Sequence, residues 1–231
     1  MVNILLTGAS RGIGAAIAAT LDAAPGVALA RHATASGLAA DFADPAAPAR
    51  LWDEALDRLG GRIDVLINNA GVFEANPLDS DDWVANWERT LRINLTAAAE
   101  LSRLAIRHWQ ADARGGRLVN VASRAAYRGD SPAHWHYAAA KAGMVAMTKT
   151  IARGYARDEI LAFAICPGFT MTGMAEDYLA SRGGDKLLAD IPLGRVAEPE
   201  EVAAVARFLA LEAPPSMTGA VLDVNGASYV R

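Results

Sequence analysis

Val2-Asn3-Ile4-Leu5-Leu6-Thr7-Gly8-Ala9-Ser10-Arg11-Gly12-Ile13-Gly14 is an apolar run, a glycine-rich turn and the start of a helical run that reaches Ala23. A short apolar run closed by a turn suits a buried central strand. Glycines let a backbone approach a pyrophosphate closely, and the first turn of a helix offers free N–H groups and a partial positive charge. Strand, turn and helix thus form the first half of a nucleotide-binding unit. Gly8, Ser10, Arg11, Gly12, Ile13 and Gly14 read as cofactor-binding positions. Their spacing is Gly-x-x-x-Gly-x-Gly, not the Gly-x-Gly-x-x-Gly of other dinucleotide folds. A glycine turn that holds no cofactor is the competing reading, and the flanking strand and helix weigh against it.

Outward from that unit, Gly26-Val27-Ala28-Leu29-Ala30 reads as a second strand. An acid near its end would hold the ribose 2′-hydroxyl of NAD, but the residues there are Arg31 and His32. Arg31 and Arg11 match a 2′-phosphate, because a guanidinium fits phosphate geometry. This points to NADP as the preferred cofactor, with NAD second; two solvated surface arginines are the plainer reading. The stretch from His32 to Leu38 is too short for a crossover helix of ~10 residues. Leu38-Ala39-Ala40 then predicts a brief third strand, ending at Asp41 and Phe42, which are placed to meet an adenine. Alternatively, Asp41 caps the helix expected from about Pro45 to Leu59.

Further strands are expected at Ile63 to Ile67, Gly116 to Val121, Ile160 to Cys166 and Val221 to Val224. Helical segments alternate with them, so the expected fold is α/β: a doubly wound parallel sheet of about seven strands, a Rossmann fold in a single domain over residues 1–231. Asn68-Asn69-Ala70-Gly71 ends one strand, where asparagines tie loops together and small residues admit a ligand ring. Trp83 to Gln110 reads as a long helix with a break near Asn94, a polar residue among Leu91, Ile93 and Leu95.

Tyr137 and Lys141 stand four apart in a helical run to Ala156, so they share one face. A positive charge near a phenol favours its ionised form. Such a pair also arises by chance, and the surrounding residues must decide. Ser123 follows a strand end, and Arg124 to His136 forms a loop rich in Pro, Gly, His and aromatic residues. His134, Trp135 and His136 read either as substrate contacts or as packing at a helix start.

Bulk properties exclude several classes. The net charge is −4, and the basic residues are scattered, which gives no electrostatic case for nucleic acid. The single cysteine, Cys166, cannot form a disulfide within the chain and reads as a buried, inert thiol. No apolar run of ~18 residues suggests a membrane span, and the start lacks the basic opening of a signal peptide. A cytoplasmic protein without a metal site is expected.

These motifs together resemble the short-chain dehydrogenase/reductase family, in particular its 3-oxoacyl-carrier-protein reductase-like members. The resemblance rests on Thr7 to Gly14, Asn68 to Gly71, Asn94, Ser123, Tyr137-x-x-x-Lys141, Pro167-Gly168 with Thr172, and Met217-Thr218-Gly219 before Asn225-Gly226. It implies hydride exchange between NADP(H) and a carbonyl or secondary alcohol. Tyr137 would be the acid or base, Lys141 would hold the nicotinamide ribose and depress the phenol's pKa, Ser123 would bind the carbonyl, and Asn94 would anchor a water. Asn69, Ala70, Gly71, Pro167, Gly168, Thr170 and Thr172 would join Tyr137 and Lys141 in holding the cofactor. A homotetramer or dimer is implied, with the small-residue helix from Tyr137 as one contact. Two other readings compete: a nucleotide-sensing protein of the same fold without catalysis, and a nucleotide-sugar epimerase. The second has a different glycine pattern and a larger C-terminal part. The pocket is expected between Arg124 to Trp135 and Phe169 to Leu188, with Met171, Met174 and Tyr178 as an adaptable apolar wall.

Overall fold

The computed structural model describes residues 1–33, 35–171 and 184–231. Its strands are β1 (Val2–Leu6), β2 (Val27–Arg31), β3 (Val65–Asn68), β4 (Gly116–Val121), β5 (Ile160–Pro167) and β6 (Val221–Val224). They pair in the order β2-β1-β3-β4-β5-β6, every pair parallel. The helices are α1 (Gly12–Asp22), α2 (Ala47–Arg58), α3 (Trp83–Leu91), α4 (Ala97–Asp112), α5 (Ala125–Arg128), α6 (Trp135–Tyr155), α7 (Gly184–Ala189) and α8 (Pro199–Leu211).

The period-2 alternation of a strand sorts β1 between two cores. Ile4 and Leu6 pack with Ile17 and Leu21 of α1 and Val202 and Leu209 of α8. Leu5 faces the other side, with Leu51 and Trp52 of α2 and Leu101 and Trp109 of α4. Both faces of the sheet are therefore covered, which is why β3 and β5 are buried along their whole length.

About seven strands were expected, and six form among the described residues. The predicted third strand is reduced to one bridge between His32 and Leu38. With no crossover helix to carry it to a new edge position, the chain loops round and meets the end of β2 in parallel. Leu38 N–H donates to Arg31 O at 2.7 Å and Ala33 N–H to Leu38 O at 3.0 Å. The burial of Leu38 in the core anchors this short return.

The break expected near Asn94 is a π-helical turn, Arg92–Thr96, between α3 and α4. Such turns insert one residue into a helix and re-aim its side chains, often at functional sites. The small residues of α6 also serve packing within the chain: a Cβ on Gly143 would lie 2.8 Å from a Leu95 methyl group.

Candidate active site

The strand order reverses at β1, so the crevice between the carboxyl ends of β1 and β3 is where an open α/β sheet binds ligands. The glycine turn leaves β1 there, and Asn69 leaves β3 beside it. The two loops are tied together. Asn69 Nδ2 donates to Thr7 O at 3.1 Å and Gly8 O at 2.9 Å, and Thr7 Oγ1 accepts from the N–H groups of Asn69 and Ala70 at 3.0 Å each. The contact is too close for side chains. A Cβ on Gly14 would lie 1.9 Å from Gly8 O, and one on Gly8, whose φ is +67°, would lie 2.7 Å from Ala70 Cα.

The turn fits a dinucleotide. Arg11 stands at the N-cap of α1 with extended backbone, and no side chain caps the helix. The first-turn N–H groups thus stay available to an anion. Ser10 and Arg11 are exposed, and Gly12 and Ile13 are half-buried beside them.

His32 supplies a support that the sequence reading did not foresee. Gly8 N–H donates to its Nδ1 at 3.1 Å, so the proton sits on Nε2, which meets Ala40 O at 2.9 Å. Burial pushes the pKa of His32 down, which favours this neutral form. Arg31, expected to meet a 2′-phosphate, is paired with Asp22 of α1. Asp41 accepts from Ala43 N–H at 2.9 Å and so closes its own turn, while α2 starts only at Ala47. The cap expected at Asp41 is therefore a local turn ahead of the helix. Phe42 is buried against His32, with ring centroids 4.7 Å apart.

At the other end of the crevice four polar residues come together. Ser123 and Tyr137 face each other, and the serine hydroxyl favours the ionised phenol. Burial outweighs it and pushes the phenol up to about 12. Lys141 is buried; its Nζ donates to Val121 O at 2.8 Å, contacts Met144 Sδ at 3.7 Å and stands 5.8 Å from the Tyr137 ring centroid. Burial pushes this ammonium down to about 8. Lys141, expected to depress the phenol, is not among the groups that shift it: the phenol rises mainly through burial, and the ammonium donates to a backbone carbonyl.

Asn94 is fully buried, and both its amide groups meet Val72: Oδ1 accepts its N–H and Nδ2 donates to its O, each at 2.8 Å. Gly71 lies between the two sets, since a Cβ there would be 3.1 Å from Asn94 Oδ1 and 3.7 Å from Lys141 Nζ. The Pro167-Gly168 turn packs on Asn225, whose Cα would lie 2.8 Å from a Gly168 Cβ. Thr170 is buried and bridges to Ala197. Thr172, Met174 and Tyr178 lie outside the described residues.

Cys166 is buried and its thiol is pushed up to about 11, mainly by burial, so it stays protonated as expected. Both histidines of the His134 to His136 stretch pack within the chain, as the packing reading expects. His136 is buried and stacks near Trp87. His134 stacks on Phe73 at 3.9 Å, and Phe73 meets the Tyr137 ring edge-on at 4.8 Å. Phe73 was missed by sequence reasoning, although it stands two residues beyond the Asn-Asn-Ala-Gly turn.

A parallel sheet with a phosphate cradle at its switch point and a Ser-Tyr-Lys group one loop away defines a dinucleotide-dependent oxidoreductase. Comparison with known proteins agrees. The family model described as enoyl-(acyl carrier protein) reductase matches residues 8–227. The 3-oxoacyl-(acyl-carrier-protein) reductase of Vibrio cholerae is 34% identical, with 98% of this chain and 96% of that protein covered. The cis-4-hydroxycyclohexanecarboxylate dehydrogenase of Sinomonas cyclohexanicum is 37% identical, with 96% and 94% covered. A crystal structure of an Agrobacterium tumefaciens protein assigned as a 2-deoxy-D-gluconate 3-dehydrogenase, with bound NADP, superposes with a TM-score of 0.89 at 31% identity, covering 100% of this chain and 97% of that one. The chain belongs to the short-chain dehydrogenase/reductase family, whose members are NAD(P)-dependent oxidoreductases acting on CH–OH groups. Among the described residues no helix is long and apolar enough to cross a membrane.

Proposed function

We propose that the protein interconverts a carbonyl compound and its secondary alcohol with NADP(H), using Tyr137 as acid and base. The observation that carries this reading is the juxtaposition of the Ser123 hydroxyl with the Tyr137 phenol, with the buried Lys141 Nζ 5.8 Å from the phenol ring centroid. When bound, the nicotinamide supplies or accepts the hydride. In reduction Tyr137 gives its proton to the carbonyl oxygen as charge develops there. Ser123 donates a hydrogen bond to the same oxygen and holds it against the phenol. Lys141 has one N–H beyond its contacts with Val121 O and Met144 Sδ, and this is the group offered to the ribose. Asn94 fixes Val72 and, through it, the backbone at Gly71, which would border the nicotinamide when the cofactor is bound. Its support of a water beside Lys141 is part of this proposal.

Gly8, Ser10, Arg11, Gly12, Ile13 and Gly14 would cradle the pyrophosphate, Asn69, Ala70 and Gly71 would border the bound cofactor, and Pro167, Gly168, Thr170 and Thr172 would meet its carboxamide or phosphates. Arg11 and Arg31 receive the 2′-phosphate, and Asp41 and Phe42 border the adenine. NADP is the preferred cofactor, a reading supported by the absence of an acid at the end of β2 and by the NADP held in the Agrobacterium relative. We further propose one domain over the whole chain, a homo-oligomer and a cytoplasmic location.

Following NADPH absorbance with a panel of ketones tests the reaction. Turnover of at least one ketone, lost in Tyr137→Phe, is expected. Tight NADPH binding with no turnover of any ketone would favour a sensing protein instead.

A further inference from the structure

The loop after Ser123 holds a charge that the proposed chemistry does not use. Arg124 follows Ser123 directly, and its side chain is only 9% exposed. Its guanidinium lies over the Phe169 ring, 4.7 Å from the centroid, and Nη1 has no hydrogen-bond partner among the described residues. Among the described residues the nearest anion is Asp190, whose Oδ2 stands 3.5 Å from Nη1. That carboxylate is already held by Arg128, at 2.9 Å from Nη1 and 3.1 Å from Nη2, and is 40% exposed. Asp130 acts on Arg124 only at longer range.

Two guanidiniums thus share one carboxylate, and the more buried of the two has the poorer geometry. A buried guanidinium nitrogen left without a well-placed acceptor is costly. Burial and the neighbouring Arg128 push the Arg124 pKa down, yet a guanidinium keeps its proton. A purely structural role would be to hold the loop against β5. The backbone already does this, through Arg124 N–H to Pro167 O at 2.9 Å.

We propose that Arg124 is a specificity-determining residue that binds a carboxylate on the substrate, so that the enzyme acts on a hydroxy acid and its keto acid. This rests on the reading that Ser123 and Tyr137 hold the carbonyl. Adjacent residues of one loop then grip the two ends of a small molecule, and the substrate anion supplies the partner that Nη1 lacks. A guanidinium matches a carboxylate with two parallel hydrogen bonds.

The test uses 4-oxopentanoate, 5-oxohexanoate and 4-oxocyclohexanecarboxylate, each beside its methyl ester, with the full-length protein saturated with NADP. Binding is measured by calorimetry, and turnover separately with NADPH. At least one acid is expected to bind more than about tenfold tighter than its ester, on the scale of charge-assisted hydrogen bonds. Arg124→Gln brings that ratio close to one, Arg124→Lys restores part of it, and in turnover the loss falls on KM more than on kcat. Asp190→Asn, an exposed change that removes the competing internal anion, tightens acid binding and keeps the test decisive should Arg124→Gln fold poorly. Esters binding as well as acids across the panel, or an acid preference that survives Arg124→Gln, would overturn the proposal. A preference for acid that Arg124→Gln abolishes, without turnover of any ketone, upholds the carboxylate site and breaks the proposed reaction instead.

Discussion

The two ends of the crevice are built on different terms. At the Tyr137 end Lys141 and Asn94 are buried and their partners lie in the backbone of the same chain, while Ser123 and Tyr137 are half-buried beside them. Lys141 meets Val121 O, and Asn94 closes both of its bonds on Val72. At the adenosine end the charged groups lie near solvent: Arg31 and Asp22 are 33% and 48% exposed in their pair, and Arg11 is exposed. Groups held this way at the first end are set in place before a ligand arrives, which is what acid–base geometry requires. At the second end, on the proposed reading, a 2′-phosphate would have to win Arg31 from Asp22. Under the proposed function, rate belongs to one end and cofactor choice to the other.

The strongest way to break that division is Tyr137→Phe. It is expected to lower turnover by about two or more powers of ten, the scale for a lost acid–base group, while titration by fluorescence shows NADPH affinity within a few-fold of the parent. A comparable loss of affinity would mean that the reactive end also governs cofactor binding. Next comes pH. With the phenol pushed up to about 12, its acid form prevails throughout the neutral range, so reduction is expected to be flat from about pH 6 to 8. Oxidation needs the base form, which grows about tenfold per pH unit below the pKa, so its kcat/KM should climb with pH. The climb should slacken near pH 8, where Lys141, pushed down to about 8, loses its charge. An oxidation rate that does not change between pH 6 and 8 would remove Tyr137 as the base.

The smallest effects are expected at the exposed pair. Arg31→Asp should shift the NADPH/NADH preference towards NADH by roughly tenfold or more, from lost attraction and added repulsion. Asp22→Asn should raise the preference for NADPH by about two- to threefold, because a surface ion pair is worth little. Kinetics with both cofactors would show this. An unmoved ratio in both variants would place the 2′-phosphate elsewhere.

The same contrast marks what the sequence made legible. Gly8, Gly12 and Gly14 announce a close approach because few other uses explain glycines between a strand and a helix. Tyr137 and Lys141 announce themselves by helical spacing, and Asn94 by being polar in an apolar row. These signals are local. The missing strand was not legible, because whether Leu38 to Ala40 pairs depends on where a short return lets it reach. Nor was the support from His32, since a histidine at a strand end gives no sign of which loop its ring will meet. Arg124 could be read only as one of the residues bordering a pocket. Its interest comes from burial and from the geometry of Asp190, neither of which has a pattern in the chain.

One consequence concerns redesign. Arg31 and His32 are neighbours, and the pleat sends them to opposite sides: Arg31 out towards Asp22, His32 in beneath Gly8. In many dinucleotide folds a single acid near this point chooses the cofactor. Under the proposed function, cofactor choice and mechanical support of the glycine loop fall here on two separate side chains. An engineer can therefore recode position 31 while leaving the loop's foundation untouched, provided the imidazole next to it is kept.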